Sequence, residues 1–144
     1  MAKTKIIVTG GAGFIGSHLV NFLVKKKFEI LVIDNLSNRN KIDIRDNKKI
    51  NNCFKEFSPD YVFHLAAITS KSLTNAKEVK EVNVLGTSNI VKACIKNNVK
   101  KIIFSSSAAV YGNTEKFPIK ENQKLSPINP YGISKADAEQ NILS

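Results

Sequence analysis

Apolar residues fall along the chain in two alternating rhythms. Short unbroken runs, KIIVTG (Lys5 to Gly10), EILVID (Glu29 to Asp34), YVFHLAA (Tyr61 to Ala67) and KIIFSSS (Lys101 to Ser107), have the length and β-branched content of buried parallel strands. Between them the spacing becomes helical. Ile15, Leu19, Phe22 and Leu23 share one face of a helix predicted over Phe14 to Lys27. Ile50, Cys53, Phe54 and Phe57 follow the i, i+3, i+4, i+7 pattern, with Asp46 placed to cap that helix and Pro59 to break it. Ala76 to Asn97 reads as one long helix, stopped by an Asn-Asn pair that tolerates a left-handed turn. Lys41 to Ile44 leaves room only for a very short strand. A loop from about Gly112 leads to a last helix begun by Pro130 or Tyr131.

This alternation predicts an α/β fold, a doubly wound parallel sheet of about five strands. Right-handed crossovers would give the order 3-2-1-4-5. With 144 residues and no repeat or low-complexity linker, residues 1–144 form one domain.

The net charge of +10 raises the question of nucleic acid. The basic residues argue against it. Of 22, all but Arg39 and Arg45 are lysines, scattered along the chain instead of gathered into a patch. No apolar run is long enough to span a bilayer, and MAKTKIIVTGG passes directly from a short basic start into a strand, unlike a secretory signal. Cys53 and Cys94 sit in apolar helical patterns and read as reduced core residues, so the cytoplasm is the expected compartment. His18 and His64 have no metal-ligand spacing; both read as packing residues, and no metal is expected.

The first strand-to-helix junction carries the clearest chemistry. Gly10, Gly13 and Gly16 are spaced three apart there. Gly10 suits a tight turn, Gly13 lets backbone N–H groups approach a pyrophosphate, and Gly16 lets helix and strand pack closely; the helix N-terminus then faces the anion. Asp34 ends the next strand 18 residues beyond Gly16. Its carboxylate would accept hydrogen bonds from an adenosine ribose and repel a 2′-phosphate, which favours NAD over NADP. Near the other end, Tyr131 and Lys135 share a helix face. A free phenol titrates near pH 10, and a neighbouring ammonium favours the phenolate. Ser107 ends the last predicted strand, where ligand sites of such sheets lie.

With these elements in place, the sequence resembles the extended short-chain dehydrogenase/reductase family, closest to nucleotide-sugar epimerases of the UDP-glucose 4-epimerase type. The likeness rests on VTGGAGFIGSHL, VIDNLSN, DIRD, PDYVFHLAA, NVLGT, FSSSAAVYG and PYGISK, which span the chain in family order. The resemblance implies an NAD-binding Rossmann fold and a role for each matching position. Gly10, Gly13, Phe14, Ile15 and Gly16 would hold the pyrophosphate. Asp34, Asn35 and Asn38 would bind the adenosine side, with Asp43 and Ile44 flanking adenine. Leu65, Ala66 and Ala67 would line the dinucleotide, Asn83 would support them, and Ser105 would lie against the nicotinamide. Ser107, Tyr131 and Lys135 would be the catalytic set, with Tyr131 and Lys135 also meeting the cofactor. The implied substrate is a nucleotide sugar, a UDP-sugar first of all, epimerised at C4 through a 4-keto intermediate.

Related 4,6-dehydratases carry an Asp-Glu pair where this chain has Ala108 and Ala109, so the resemblance favours epimerase over dehydratase; a nucleotide 4-keto-sugar reductase is the alternative enzyme. Between Asp34 and Asp43 lie only eight residues, which predicts a trimmed second βα unit. Family members continue beyond the last helix into a substrate-binding domain. The chain is therefore expected to lack that domain, to turn over weakly alone, and to present its fifth strand as a sheet edge. A homodimer through helices 76–97 and 131–143, a second chain supplying the substrate domain, a non-catalytic NAD-binding module and a truncated fragment are all compatible with these features.

Overall fold

The computed structural model describes residues 3–36, 41–69, 75–115 and 117–144. Its strands are β1 (Lys5–Thr9), β2 (Glu29–Ile33), β3 (Tyr61–His64) and β4 (Lys101–Phe104). They form one parallel sheet in the order β2-β1-β3-β4. The short third strand expected at Lys41 to Ile44 is reduced to a single parallel bridge between Asp34 and Lys41, with the Ile42 amide donating to the Asp34 carbonyl at 3.0 Å. Eight residues are too few to leave β2, build a crossover helix and return. Counting that bridge as the outermost position, the strand order is the one expected from right-handed crossovers.

The pleat sorts the core. Ile6 and Val8 of β1 face α1 (Phe14–Lys25), where Leu23 is buried with them. Ile7 faces the opposite way, into the larger core with Ile33, Val62, Ile50, Phe54 and Ile90. There α2 (Asn47–Phe57) packs beside α4 (Thr87–Lys96), and α4 beside α5 (Pro130–Leu143). Helix α2 forms as its sequence predicts. The Asp46 carboxylate accepts from the Lys49 amide at 3.0 Å, Ile50 and Phe54 are buried, and Ser58 ends the helix in a left-handed conformation. Phe54 is 0% exposed. Its replacement by alanine is expected to cost about 3–5 kcal/mol, read as a lower urea midpoint; a loss below about 1 kcal/mol would show that this core can collapse around the cavity. Cys53 and Cys94 are both free thiols, and burial pushes the Cys94 thiol up to about 12.

The long helix expected over Ala76 to Asn97 is continuous but not uniform. It consists of α3 (Ala76–Lys80), a π-helical turn (Glu81–Gly86) and α4. The wider turn buries Asn83, whose side chain bonds to the Ile68 backbone and to Ser134.

Strand register carries past the strand ends. The Gly10 amide donates to Ile33 O at 2.8 Å, Leu65 N to Thr9 O at 3.1 Å, and Ser105 N to His64 O at 3.2 Å. The segments leaving β1, β3 and β4 therefore lie side by side at the carboxyl edge of the sheet, where ligands of parallel sheets bind.

Candidate active site

A cavity of about 420 Å³ opens along that edge. Its wall contains Gly10, Gly13, Phe14, Ile15 and Gly16 from the β1–α1 junction, then Asp34 and Asn35 after β2. Asp43 and Ile44, Leu65 to Ala67 after β3, and Ser105 after β4 also line it, whereas Asn83, Tyr131 and Lys135 of the expected set do not. Asn38 lies outside the described residues. The sequence reading did not single out Leu36, Ile42, Arg45, Ile68, Glu78 or Val82, which also line the cavity.

The glycines divide by cause. A Cβ on Gly16 would stand 2.1 Å from the Gly10 carbonyl oxygen and 2.7 Å from Gly11 Cα, so packing of helix against turn excludes any side chain. Gly13 is different. Its backbone is ordinary extended chain (φ −74°, ψ 177°), and a Cβ there would meet only Gly10 O, at 3.3 Å. That contact is tight and would need the carbonyl to shift by a few tenths of an ångström, a much smaller conflict than at Gly16, and glycine also leaves the helix N-terminus open to close approach. No side chain caps α1, and its first turn holds no acidic residue. Its leading amides and dipole thus favour an anion at the mouth of the cavity. Volume, open helix end and small residues together fit a dinucleotide.

Asp34 is buried and doubly engaged. Oδ2 accepts from Ala12 N at 3.0 Å, and Oδ1 accepts from Leu36 N at 2.8 Å. The carboxylate therefore ties the glycine turn to the β2 exit and keeps its remaining lone pairs for a ligand. Asp43 is paired with Arg45, whose Nε lies 3.0 Å from each carboxylate oxygen and whose second terminal nitrogen lies 2.6 Å from Oδ2. These hydrogen bonds hold the Asp43 carboxyl below its usual range. A turn sets this pairing: Asp46 N donates to Asp43 O at 2.9 Å and Arg45 N to Asp43 Oδ1 at 2.9 Å, so the Asp at the head of DIRD, a turn former, is the one signal in the sequence that could have pointed to Arg45.

Behind the wall runs a chain of buried polar groups. The Thr87 hydroxyl donates to Asn83 O at 2.6 Å and so accepts from His64 Nε2 at 2.9 Å. His64 Nδ1 then accepts from the Thr9 hydroxyl at 2.6 Å, and Thr9 Oγ1 accepts from the Leu65 and Ala66 amides, both at 3.2 Å. One neutral tautomer satisfies every member. Asn83 extends the chain, accepting from Ile68 N at 2.8 Å and donating to Ile68 O at 3.0 Å and Ser134 Oγ at 2.9 Å. Asn83 thus stands behind the cavity wall and joins it to α5. His64 is the fully buried packing residue expected. His18 is not: it is exposed, with its ring tilted against Phe14 and its Nδ1 2.8 Å from Phe14 O. The helix turns that position outward beside the cradle.

The network has a pH signature. Burial, reinforced by the positive Lys135, pushes His64 down to about 3, whereas an unfolded imidazole takes its proton near pH 6.5. Below pH 6.5 the unfolded chain binds a proton that the folded chain refuses. Stability is therefore full above that pH and falls as pH drops toward 3, by up to about 1.4 kcal/mol per unit. Urea unfolding between pH 7 and 5, above the carboxylate range, is expected to show this slope, and His64→Gln to flatten it. An equal slope in the variant would place its source elsewhere.

Ser107, Tyr131 and Lys135 lie beyond the cavity wall. Ser107 caps a short 3-10 turn (Ala108–Tyr111), its Oγ accepting from Ala109 N at 3.2 Å, which leaves its proton free to donate. Helix α5 starts against this turn. Asn129 caps it through the Gly132 amide at 2.8 Å, and a Cβ on Gly132 would stand 2.6 Å from Ala109 O. Glycine at 132 thus lets the start of the Tyr131 helix rest on the Ser107 turn. Lys135 is 3% exposed, with its Nζ 4.0 Å from the centroid of the Phe104 ring. Burial pushes its ammonium down to about 8, against the opposing field of Glu139.

The chain is similar to known proteins over nearly all of its length. The UDP-glucose 4-epimerase of Halalkalibacterium halodurans is 40% identical over 147 residues, covering 94% of this chain and 44% of that protein. A putative UDP-glucose 4-epimerase of Methanocaldococcus jannaschii is 40% identical over 154 residues, covering 95% and 49%. Among solved structures, the Bordetella bronchiseptica enzyme WbmG in complex with NAD has a TM-score of 0.93 at 30% identity, over 99% of this chain and 50% of that one. The UDP-glucose 4-epimerase of Thermotoga maritima with UDP-glucose has a TM-score of 0.91 at 38% identity, over 97% and 50%. The chain spans about half the length of the curated relatives it matches. Residues 6–144 match the model of the NAD dependent epimerase/dehydratase family, and the chain belongs to that family.

Proposed function

We propose that this chain binds NAD along the carboxyl edge of its sheet and contributes the acid–base residues of a UDP-sugar 4-epimerase. The observation that carries the reading is the cavity running from the Gly13 turn to Ser105, with the uncapped first turn of α1 opening onto it. The adenosine would lie toward Asp34, Asn35, Asp43 and Ile44, the pyrophosphate at the first turn of α1, and the nicotinamide toward Ser105. NAD, when bound, supplies a hydride acceptor that also returns the hydride, so that it is not consumed. The residues supply the rest. Tyr131, as phenolate, takes the proton of the sugar 4-hydroxyl and gives it back after the ring turns over. Ser107 donates its free proton to the same oxygen, and Lys135 stabilises negative charge on the phenol oxygen from one turn away.

Exposed Leu85, Ile95 and Ile133, on the long helix and α5, support a homodimer through those helices, which a single-chain sedimentation coefficient at high protein concentration would rule out. Among the described residues no helix is long and apolar enough to cross a membrane. The free thiols fit a reducing compartment, and we place the protein in the cytoplasm.

Calorimetric titration with NAD tests the cradle, and conversion of UDP-glucose to UDP-galactose at saturating NAD tests the chemistry. NAD binding without turnover would leave an NAD-binding module; no NAD binding would remove the reading altogether.

A further inference from the structure

Lys135 is the one lysine buried within the described core, yet it has no direct ion pair among the described residues. Two matched pairs of residues surround it. Phe104 and Ser106 are two apart in the extended chain at the end of β4 and so face the same side. Lys135 and Glu139 are four apart on α5 and share a face. Across the junction the Lys135 ammonium lies on the Phe104 ring, and the Ser106 hydroxyl donates to Glu139 Oε1. The strand end thus receives the cation on an aromatic face and, one step along, fixes the anion beneath it.

Two titratable side chains interact with Lys135: Glu139 on its own helix, and His64 on β3, which is neutral in its buried network. Tyr131 lies one turn before it on α5. The long helix meets α5 through uncharged groups: the Asn83 amide donates to Ser134, and the Asn141 amide donates to Val84 O at 3.3 Å. Glu139 is therefore the anion available to the ammonium, and Ser106 holds it at a fixed place instead of letting it swing to solvent. A ring face alone is a weak partner for a desolvated cation.

We propose that Glu139, latched by Ser106, is a positioning residue that supplies the counter-charge holding Lys135 as an ammonium beneath Tyr131. The task it gives Lys135 rests on the function proposed above; the electrostatic arrangement does not.

The test is an NMR titration of the full chain carrying 13C at the lysine ε-carbon, with the Lys135 signal assigned by its loss in Lys135→Arg. Glu139→Gln, which keeps the shape and removes the charge, is expected to lower the Lys135 midpoint by about one pH unit. Glu139→Asp should retain most of the parental midpoint, because charge and not shape is at issue. Ser106→Ala should lower the midpoint by less than Glu139→Gln, and it decides the matter should Glu139→Gln fail to fold. A midpoint unchanged in a folded Glu139→Gln, or unchanged in Ser106→Ala when that variant decides, overturns the proposal. NAD calorimetry on the same samples separates the two readings. A shifted midpoint without NAD binding supports the counter-charge and removes the function; NAD binding with no shift removes the counter-charge alone.

Discussion

Valine in place of Gly16 is expected to abolish calorimetric NAD binding and to lower stability by about 3 kcal/mol. The first carbon of any side chain there would overlap the Gly10 carbonyl oxygen at 2.1 Å, and both partners are backbone, so no rotamer change relieves it. Helix α1 must move off the turn, and its N-terminal amides move with it. Gly13→Ala separates the two consequences. Its Cβ would meet only the Gly10 carbonyl, at 3.3 Å, which a shift of a few tenths of an ångström relieves, so stability should fall by no more than about 1 kcal/mol. NAD affinity should still fall, because the methyl would stand between the amides and the pyrophosphate. An unchanged affinity in Gly13→Ala would mean that the dinucleotide does not pass over this turn.

Tyr131→Phe is expected to lower turnover of UDP-glucose by about 10²–10⁴-fold at saturating NAD while leaving NAD affinity and the urea midpoint near those of the parent. Among the described residues the phenol hydroxyl makes no hydrogen bond that holds the fold together: Asn129 caps α5, Gly132 seats it and Ser134 ties it to Asn83. The oxygen is thus available to a substrate and dispensable to the core. A fall in turnover smaller than about tenfold would take Tyr131 out of the proton transfer.

What the sequence makes legible here is what local chemistry determines. The β1–α1 junction follows from an apolar run, three spaced glycines and an amphipathic helix, all within about twenty residues. Helix α2 is equally local, down to its Asp46 cap. The tertiary links are not visible because their partners are far apart in sequence. Nothing around Thr9 announces His64, and nothing around Ser106 announces Glu139 33 residues later. Asp34 reads from the sequence as a candidate ribose partner, yet its hydrogen bond from Ala12 appears only when β1 and β2 stand side by side. His18 shows the opposite error. A histidine in an apolar helix reads as core, but α1 covers its sheet face with Leu19, Val20 and Leu23 and turns residue 18 away. The π-helical turn escaped because hydrophobic spacing over so short a stretch does not distinguish a ladder of four from one of five.

That turn decides where the middle of the chain can change length. Its wider winding takes up one extra residue, so deleting one residue between Asn83 and Gly86 would restore ordinary helical winding and leave α3 and α4 at nearly their present angle. Deleting one residue within α4, which has no such slack, would instead swing everything upstream by about 100° relative to the rest of that helix. The Asn83 amide would then leave Ile68 and Ser134 together, and the cavity wall would lose its tie to the Tyr131 helix in a single step. Substitutions on the exposed side of this stretch should be absorbed, whereas a one-codon loss in α4 should not.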